Sequence, residues 1–218
     1  MKRVSLKLIG IMSCLMILAT LSIFGQEAQK KEFQTFNKKP LQDFALNLNQ
    51  KLDSKEVDLD KPFSITLEGY LTKEGRFDVK RSKFTKSEGD EKMIAIGKMA
   101  IEAISDSFLF SYLRELGVEK VKVDLFQNDK NASLIIKSEM ATSEKAKTIS
   151  SGFNSLLRLA TSNVKEDKDV KTLLEATSVN SQDNNFILNF ALPKEEAHRL
   201  LKVELQKLKE KSYSSKGE

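Results

Sequence analysis

The stretch "ITLEGYLTKEGRFDV", Ile65 to Val79, decides how the chain is read. With Phe63 just before it, Ile65, Leu67 and Leu71 alternate with Ser64, Thr66, Glu68 and Tyr70. That period-two pattern predicts a half-buried strand. The next residues, "TKEG", have turn character, and Gly75 can take the positive φ that a type I turn with a bulge requires. Phe77 and Val79 then resume the alternation. The stretch predicts a β-hairpin whose tip carries Lys73, Glu74 and Arg76, charges solvated by default.

Working towards the C-terminus, "SEGD" places Ser87 and Asp90 at capping-box spacing before a helix. Met93, Gly97, Ala100, Ile101, Ile104 and Phe108 fall on one helical face. Helical character is expected to continue past a kink at Ser105, through Tyr112 and Leu116, to a cap at Gly117. The order then recurs. Val121, Val123 and Leu125 alternate, "QNDKN" turns, Leu134 to Ile136 resumes a strand, and Ala146, Ile149, Phe153, Leu156, Leu157 and Ala160 form a helical stripe. Aligning Leu67 with Asp124, Val79 with Ile136 and Thr85 with Thr142 gives a constant offset of 57 residues. This is a repeat of pattern, ββα then ββα, either a duplication or a coincidence of a common motif. A helical segment at Val170 to Ala176, a third hairpin across "NSQDNN" and a final helix starting at Pro193 complete the chain.

Working towards the N-terminus, Leu41, Phe44, Ala45, Leu48 and Leu52 predict a short amphipathic helix after Pro40. Residues 26–39 are polar and lysine-rich and read as a tether. Before them, a basic head (Lys2, Arg3, Lys7) precedes an uncharged run from Leu8 to Phe24. Its 17 residues lie between a signal-peptide core, about 7–15, and a spanning helix, about 20. The charge asymmetry predicts that everything after Gly25 is exported. Both a cleaved signal, with Ile23 and Gly25 at the small-residue positions, and an uncleaved anchor fit the run. "IMSC" at residues 11–14 has a lipoprotein-like cysteine, but the apolar run continues beyond Cys14, as in a spanning segment.

The expected organisation is a signal or anchor at 1–25, a polar tether with a short helix at 26–60, a first ββα unit at 61–117, a second ββα-containing region at 118–211 and a disordered tail at 212–218. The fold class is α+β, antiparallel hairpins with helices packed on the sheet.

Composition excludes several classes. Of 36 basic residues, Lys2, Arg3 and Lys7 precede the apolar run, which leaves 33 against 31 acidic ones. Interleaved charges of that balance predict a solvated surface and no nucleic-acid partner. The single cysteine, Cys14, forms no intrachain disulfide and no thiolate metal cluster.

The run from Ile65 to Ile104 resembles the C-terminal domain of TonB-type energy transducers. The elements that carry the likeness are the strand of Ile65 and Leu67, the Gly75 turn, the second strand of Phe77 and Val79, Ser87 with Gly89, and the helix of Met93, Ala100 and Ala103. The resemblance implies a membrane anchor at Leu8 to Phe24, a periplasmic domain and a protein partner. In that family a later strand is offered to a receptor; no binding residue is carried over here. The anchor run contains no histidine, and three prolines in the whole chain make no proline-rich spacer.

No catalytic, cofactor-binding or metal-ligating residue is assigned. His198, the one histidine, has Glu195 three residues earlier and reads as a surface or half-buried side chain. Ser111 and Ser151 lie in no G-x-S-x-G elbow. The loop at 127–131 puts a lysine among its oxygen ligands and lacks a distal glutamate, so it reads as a turn and not a calcium site. Asn131, Ala132 and Ser133 match a glycosylation acceptor, relevant only in a eukaryotic host. Glu68 and Asp78 read as solvated strand charges. The expected function is non-enzymatic and without cofactor: an envelope protein whose exported domain binds another envelope protein or a cell-wall component. A cleaved periplasmic carrier of a small molecule or lipid, and an exported enzyme with a carboxylate site, are the alternatives.

Overall fold

A computed structural model describes residues 36–164 and 167–214, with side chains as far as Lys207. The expectations for 1–25, including Cys14 and the run from Leu8 to Phe24, lie outside the described residues, as do 26–35 and 215–218. Six helices and six strands alternate as α1 (Lys39–Asp53), β1 (Phe63–Tyr70), β2 (Lys83–Gly89), α2 (Glu91–Asp106), α3 (Ser111–Glu115), β3 (Lys120–Gln127), β4 (Asn131–Glu139), α4 (Ser143–Asn163), α5 (Lys168–Glu175), β5 (Thr177–Gln182), β6 (Asn185–Pro193) and α6 (Lys194–Ser214). The fold is α+β. All six strands form one antiparallel sheet in the order β2-β1-β3-β4-β6-β5.

The alternation read from the sequence sets the two faces of this sheet. Ile65, Leu67, Val123, Leu125, Leu134, Ile136, Leu188 and Phe190 are buried. Register brings them together: Ile65 pairs with Leu125, which pairs with Leu134, which pairs with Phe190. Helices cover this face, because an apolar sheet face of this width must be removed from water. On the opposite face Phe126, Ile135 and Ile187 are half-exposed and Lys137 is exposed; Thr66 and Ser133, small and overhung by neighbours, are buried there. Thr66 Oγ1 donates to Asp124 Oδ1 at 2.6 Å across the β1–β3 pair.

Helix starts follow their caps. Asp90 accepts from Met93 N at 2.9 Å, Thr142 from Lys145 N at 3.1 Å and Asp167 from Val170 N at 3.3 Å, each satisfying an N–H that a helix start leaves open. Gly97 lets α2 approach the sheet closely, since a β-carbon there would lie 2.8 Å from side-chain carbons of Ile65 and Phe63. In α1, Leu41, Ala45 and Leu48 are buried against α2 and α6, so this helix is part of the packed domain.

Several local expectations are corrected. Val79 does not continue a strand: it is 90% exposed, and β2 begins at Lys83. The cause is Asp78, whose carboxylate accepts from Lys80 N at 2.9 Å and whose carbonyl accepts from Arg81 N at 3.1 Å, turning the chain a second time. Leu71 and Phe77 make only an isolated bridge. Ser87 is no helix cap; it lies in β2 opposite Ile65, and Asp90 caps α2 alone. The helix from Met93 stops at Asp106, where Ser107 Oγ donates to the Ile104 carbonyl and Phe108 takes φ +60°, before the short α3. The offset of 57 describes β1 and β3 but not the rest, because the caps Asp90 and Thr142 are 52 apart. The two regions divided at 117 share one sheet, with β1 beside β3. α6 runs from Lys194 to Ser214.

Candidate functional site

The sheet has two edges, and they are finished differently. An edge strand presents main-chain N–H and C=O groups with no neighbour, a template for a further strand. At β5 the central pair of those groups, on Val179, is occupied. Asn154 of α4 donates from Nδ2 to the Val179 carbonyl at 2.5 Å and accepts from Val179 N at 3.2 Å, as a neighbouring strand would. Ser150 Oγ donates to the Asn180 carbonyl at 3.0 Å. Helix α4 thus covers the middle of this edge with the Asn154 side chain and packs against the strand through Ser150.

At β2 the edge is open among the described residues. Six of its seven residues are exposed, Phe84 being half-buried with Lys98 Nζ 5.0 Å from its ring centroid. Asp90 N bonds the Pro62 carbonyl at 3.0 Å, and Leu71 N bonds the Glu119 carbonyl at 2.8 Å. Antiparallel ladders alternate, so Ser64 and Thr66 bond towards β2 through Glu88 and Lys86. Ser87 lies between those two, and its N–H and C=O point away from the sheet. Lys83, Lys86 and Glu88 and the bulge between Thr66 and Leu67 discourage pairing between identical chains. They leave the outward main-chain groups of Ser87 in place.

The connection at 71–82 packs its first turn onto the body. Gly75 takes φ +81°. Arg76 pairs with Asp106 and lies 5.9 Å from the Phe108 ring centroid, so it is not merely solvated. Phe77 N donates to Ser105 Oγ at 2.8 Å, and its ring is 5.1 Å from that of Phe110. The hairpin tip of the sequence is a corner of the fold, with Ser111 beneath it at the start of α3.

His198 is buried, 8% exposed, and Glu195 is not its hydrogen-bond partner. Its Nε2 lies 3.0 Å from Gln127 Oε1. Gln127 Nε2 donates to the carbonyls of Leu59 (2.5 Å) and Lys61 (3.2 Å), so Oε1 accepts and the imidazole carries its hydrogen on Nε2. Nδ1 is left facing Asp60 Oδ1 at 3.7 Å, an oxygen that also pairs with Lys194 Nζ at 3.2 Å. Burial pushes the His198 pKa down, and the Asp60 charge only partly opposes this. This group latches the α1–β1 loop to β3 and α6. A depressed histidine pKa means that the unfolded chain binds the proton more readily. Stability should therefore fall as pH drops below about 6.5, the unperturbed value. Chemical denaturation between pH 7.5 and 5.5 should show a steeper loss for the parent than for His198→Gln; parallel losses would contradict the latch.

A cleft of about 610 Å³ opens between α4, α5 and β5, with Arg158, Lys171 and Glu175 at its rim and Leu157 and Leu174 at its floor. The remaining sequence candidates stay apart. Glu68 is half-exposed on the helix-free face, Asp78 is held by Arg81 at 2.8 Å, Asn131 is exposed at the start of β4, and Ser151 is exposed on α4. Among the described residues no three His, Cys, Asp or Glu side chains converge on one point, and no helix is long and apolar enough to cross a membrane. No family model matches the chain, and no curated protein or solved structure matches it significantly.

Proposed function

We propose that this chain is a non-enzymatic protein of a bacterial cell envelope. Its α+β domain lies outside the cytoplasmic membrane and binds an extended segment of another envelope protein by strand addition at β2. The observation that carries the reading is the asymmetry of the sheet edges: at the centre of β5 Asn154 takes both outward main-chain groups of Val179, while Ser87 at the centre of β2 directs its own outward with no such side chain across it among the described residues. Strand addition uses main-chain hydrogen bonds for affinity and needs no catalytic group. The charge asymmetry around Leu8 to Phe24 supports export. The resemblance of 65–104 to TonB-type C-terminal domains supports a protein partner, with β2 in place of a later strand.

Ser87→Pro tests the mode. Proline removes the outward N–H but no bond of the β1–β2 ladder, and edge strands tolerate it. The thermal melt should stay at the parent value, while capture of the partner from envelope extracts falls about tenfold or more. Equal capture by the two proteins would contradict strand addition at β2. A second reading, a carrier of a small molecule, has the cleft at α4, α5 and β5 in its favour; a ligand retained through native mass measurement would support it.

A further inference from the structure

We propose that the end of the domain formed by the 71–82 connection docks on an anionic lipid bilayer. Val79 stands 90% exposed at the second turn, with exposed Lys80, Arg81 and Lys83 around it. Beside it, Tyr70 is 37% exposed, and the Arg81 guanidinium lies 4.9 Å from its ring centroid. An apolar side chain projecting from a ring of cations, next to an amphipathic aromatic, is the chemistry of a headgroup interface: the valine and tyrosine enter the boundary while the cations meet phosphates.

The charge balance favours an anionic surface. Lys73, Arg76, Lys80, Arg81, Lys83 and Lys120 gather here against Glu74, Asp78 and Asp106, an excess of three positive charges. Glu68 lies between Lys83 and Lys122 in the ladder and leaves that balance unchanged. Glu119, next to Lys120, is paired with Arg114.

A separate observation orients this end. Asn37 N bonds the Ser107 carbonyl at 3.0 Å, beside Asp106, which pairs with Arg76, and close to Ser105, which accepts from Phe77 N. The first described residues therefore lie at the same end that carries Val79. The intervening residues 25–35 span at most about 40 Å when fully extended. An apolar run at 8–24 held in a bilayer would keep this end within reach of that surface. The inference rests on the envelope reading for the presence of a membrane, and on the loop itself for the contact.

The chain has no tryptophan, so Val79→Trp gives a single reporter at an exposed position. The full chain carrying it is reconstituted in vesicles of brominated phosphatidylcholine, with and without anionic phosphatidylglycerol. The expected result is emission shifted to shorter wavelength and quenched with the anionic lipid only. High salt, or Lys80→Glu combined with Lys83→Glu, should reverse this. A Leu159→Trp reporter, at a 59% exposed site on α4, should not respond. Equal emission on neutral and anionic vesicles, or equal responses from the two reporters, would overturn the proposal. So would a reporter silent on vesicles while the double charge reversal abolishes capture of an acidic envelope protein. Flotation of the parent chain with neutral vesicles reads the apolar run separately. A floating chain with a silent reporter overturns the lipid contact alone; a chain that does not float contradicts the envelope anchor, and the reporter with added anionic vesicles still tests the loop.

Discussion

Replacing Gly75 by any residue with a β-carbon is expected to remove about 2–5 kcal/mol of stability, from left-handed backbone strain together with overpacking. Sequence alone predicts that Gly75→Asn is milder than Gly75→Val, because asparagine tolerates positive φ. The structure adds a cost that both variants share. A β-carbon at Gly75 would lie 2.7 Å from the Phe110 carbonyl carbon and closer still to Ser111 N and Cα. Those are main-chain atoms at the start of α3, and they cannot rotate away as a side-chain tip can. Alanine, asparagine and valine share the offending atom, so all three should be strongly destabilised. Such a loss is a large part of a typical total of about 5–15 kcal/mol. Chemical denaturation measures it directly, and a Gly75→Asn protein with the parent's midpoint would contradict the docking of this turn.

Phe153→Ala is expected to cost about 3–5 kcal/mol, the range for removing a buried ring. The Phe153 ring, with the residue 4% exposed, meets Tyr112 edge-on at 5.5 Å and Phe186 at 5.4 Å. It joins α4 to α3 and to β6 across the core, so truncation leaves a cavity bounded by three separate elements. Phe153→Leu, which keeps much of the volume, should lose less. Urea midpoints for the two variants decide the matter; a Phe153→Ala loss below about 1 kcal/mol would mean that the site collapses freely.

What the sequence revealed depended on contrast between faces. β1, β3 and β6 each put an unbroken apolar series on the covered face and a mostly polar or mixed one on the other, so period two identified them. β2 escaped because an edge strand under no helix has little to alternate: in "KFTKSEG" only Phe84 is even half-buried. Phe77 and Val79 supplied a false second strand, although the Asx turn that overrides it is visible in Asp78, two residues before Lys80. The break after Asp106 was hidden because Phe108, Tyr112 and Leu116 suit the helical face in spacing. The polar latch was illegible for a different reason. His198 and Gln127 are 71 positions apart, and local pattern carries nothing about which strand lies under which helix. The open edge was equally out of reach, since the order β2-β1-β3-β4-β6-β5 is a property of the assembled sheet.

Strand addition to an envelope partner and contact with a bilayer both presuppose that the domain lies outside the cytoplasm. The most direct measurement is a reporter active only in the periplasm, joined after Lys39 so that the basic head and the run from Leu8 to Phe24 alone direct it. The account predicts an active reporter, and predicts that activity is lost when part of the apolar run is deleted. An inactive periplasmic reporter, with full activity from a cytoplasmic one at the same junction, would contradict it.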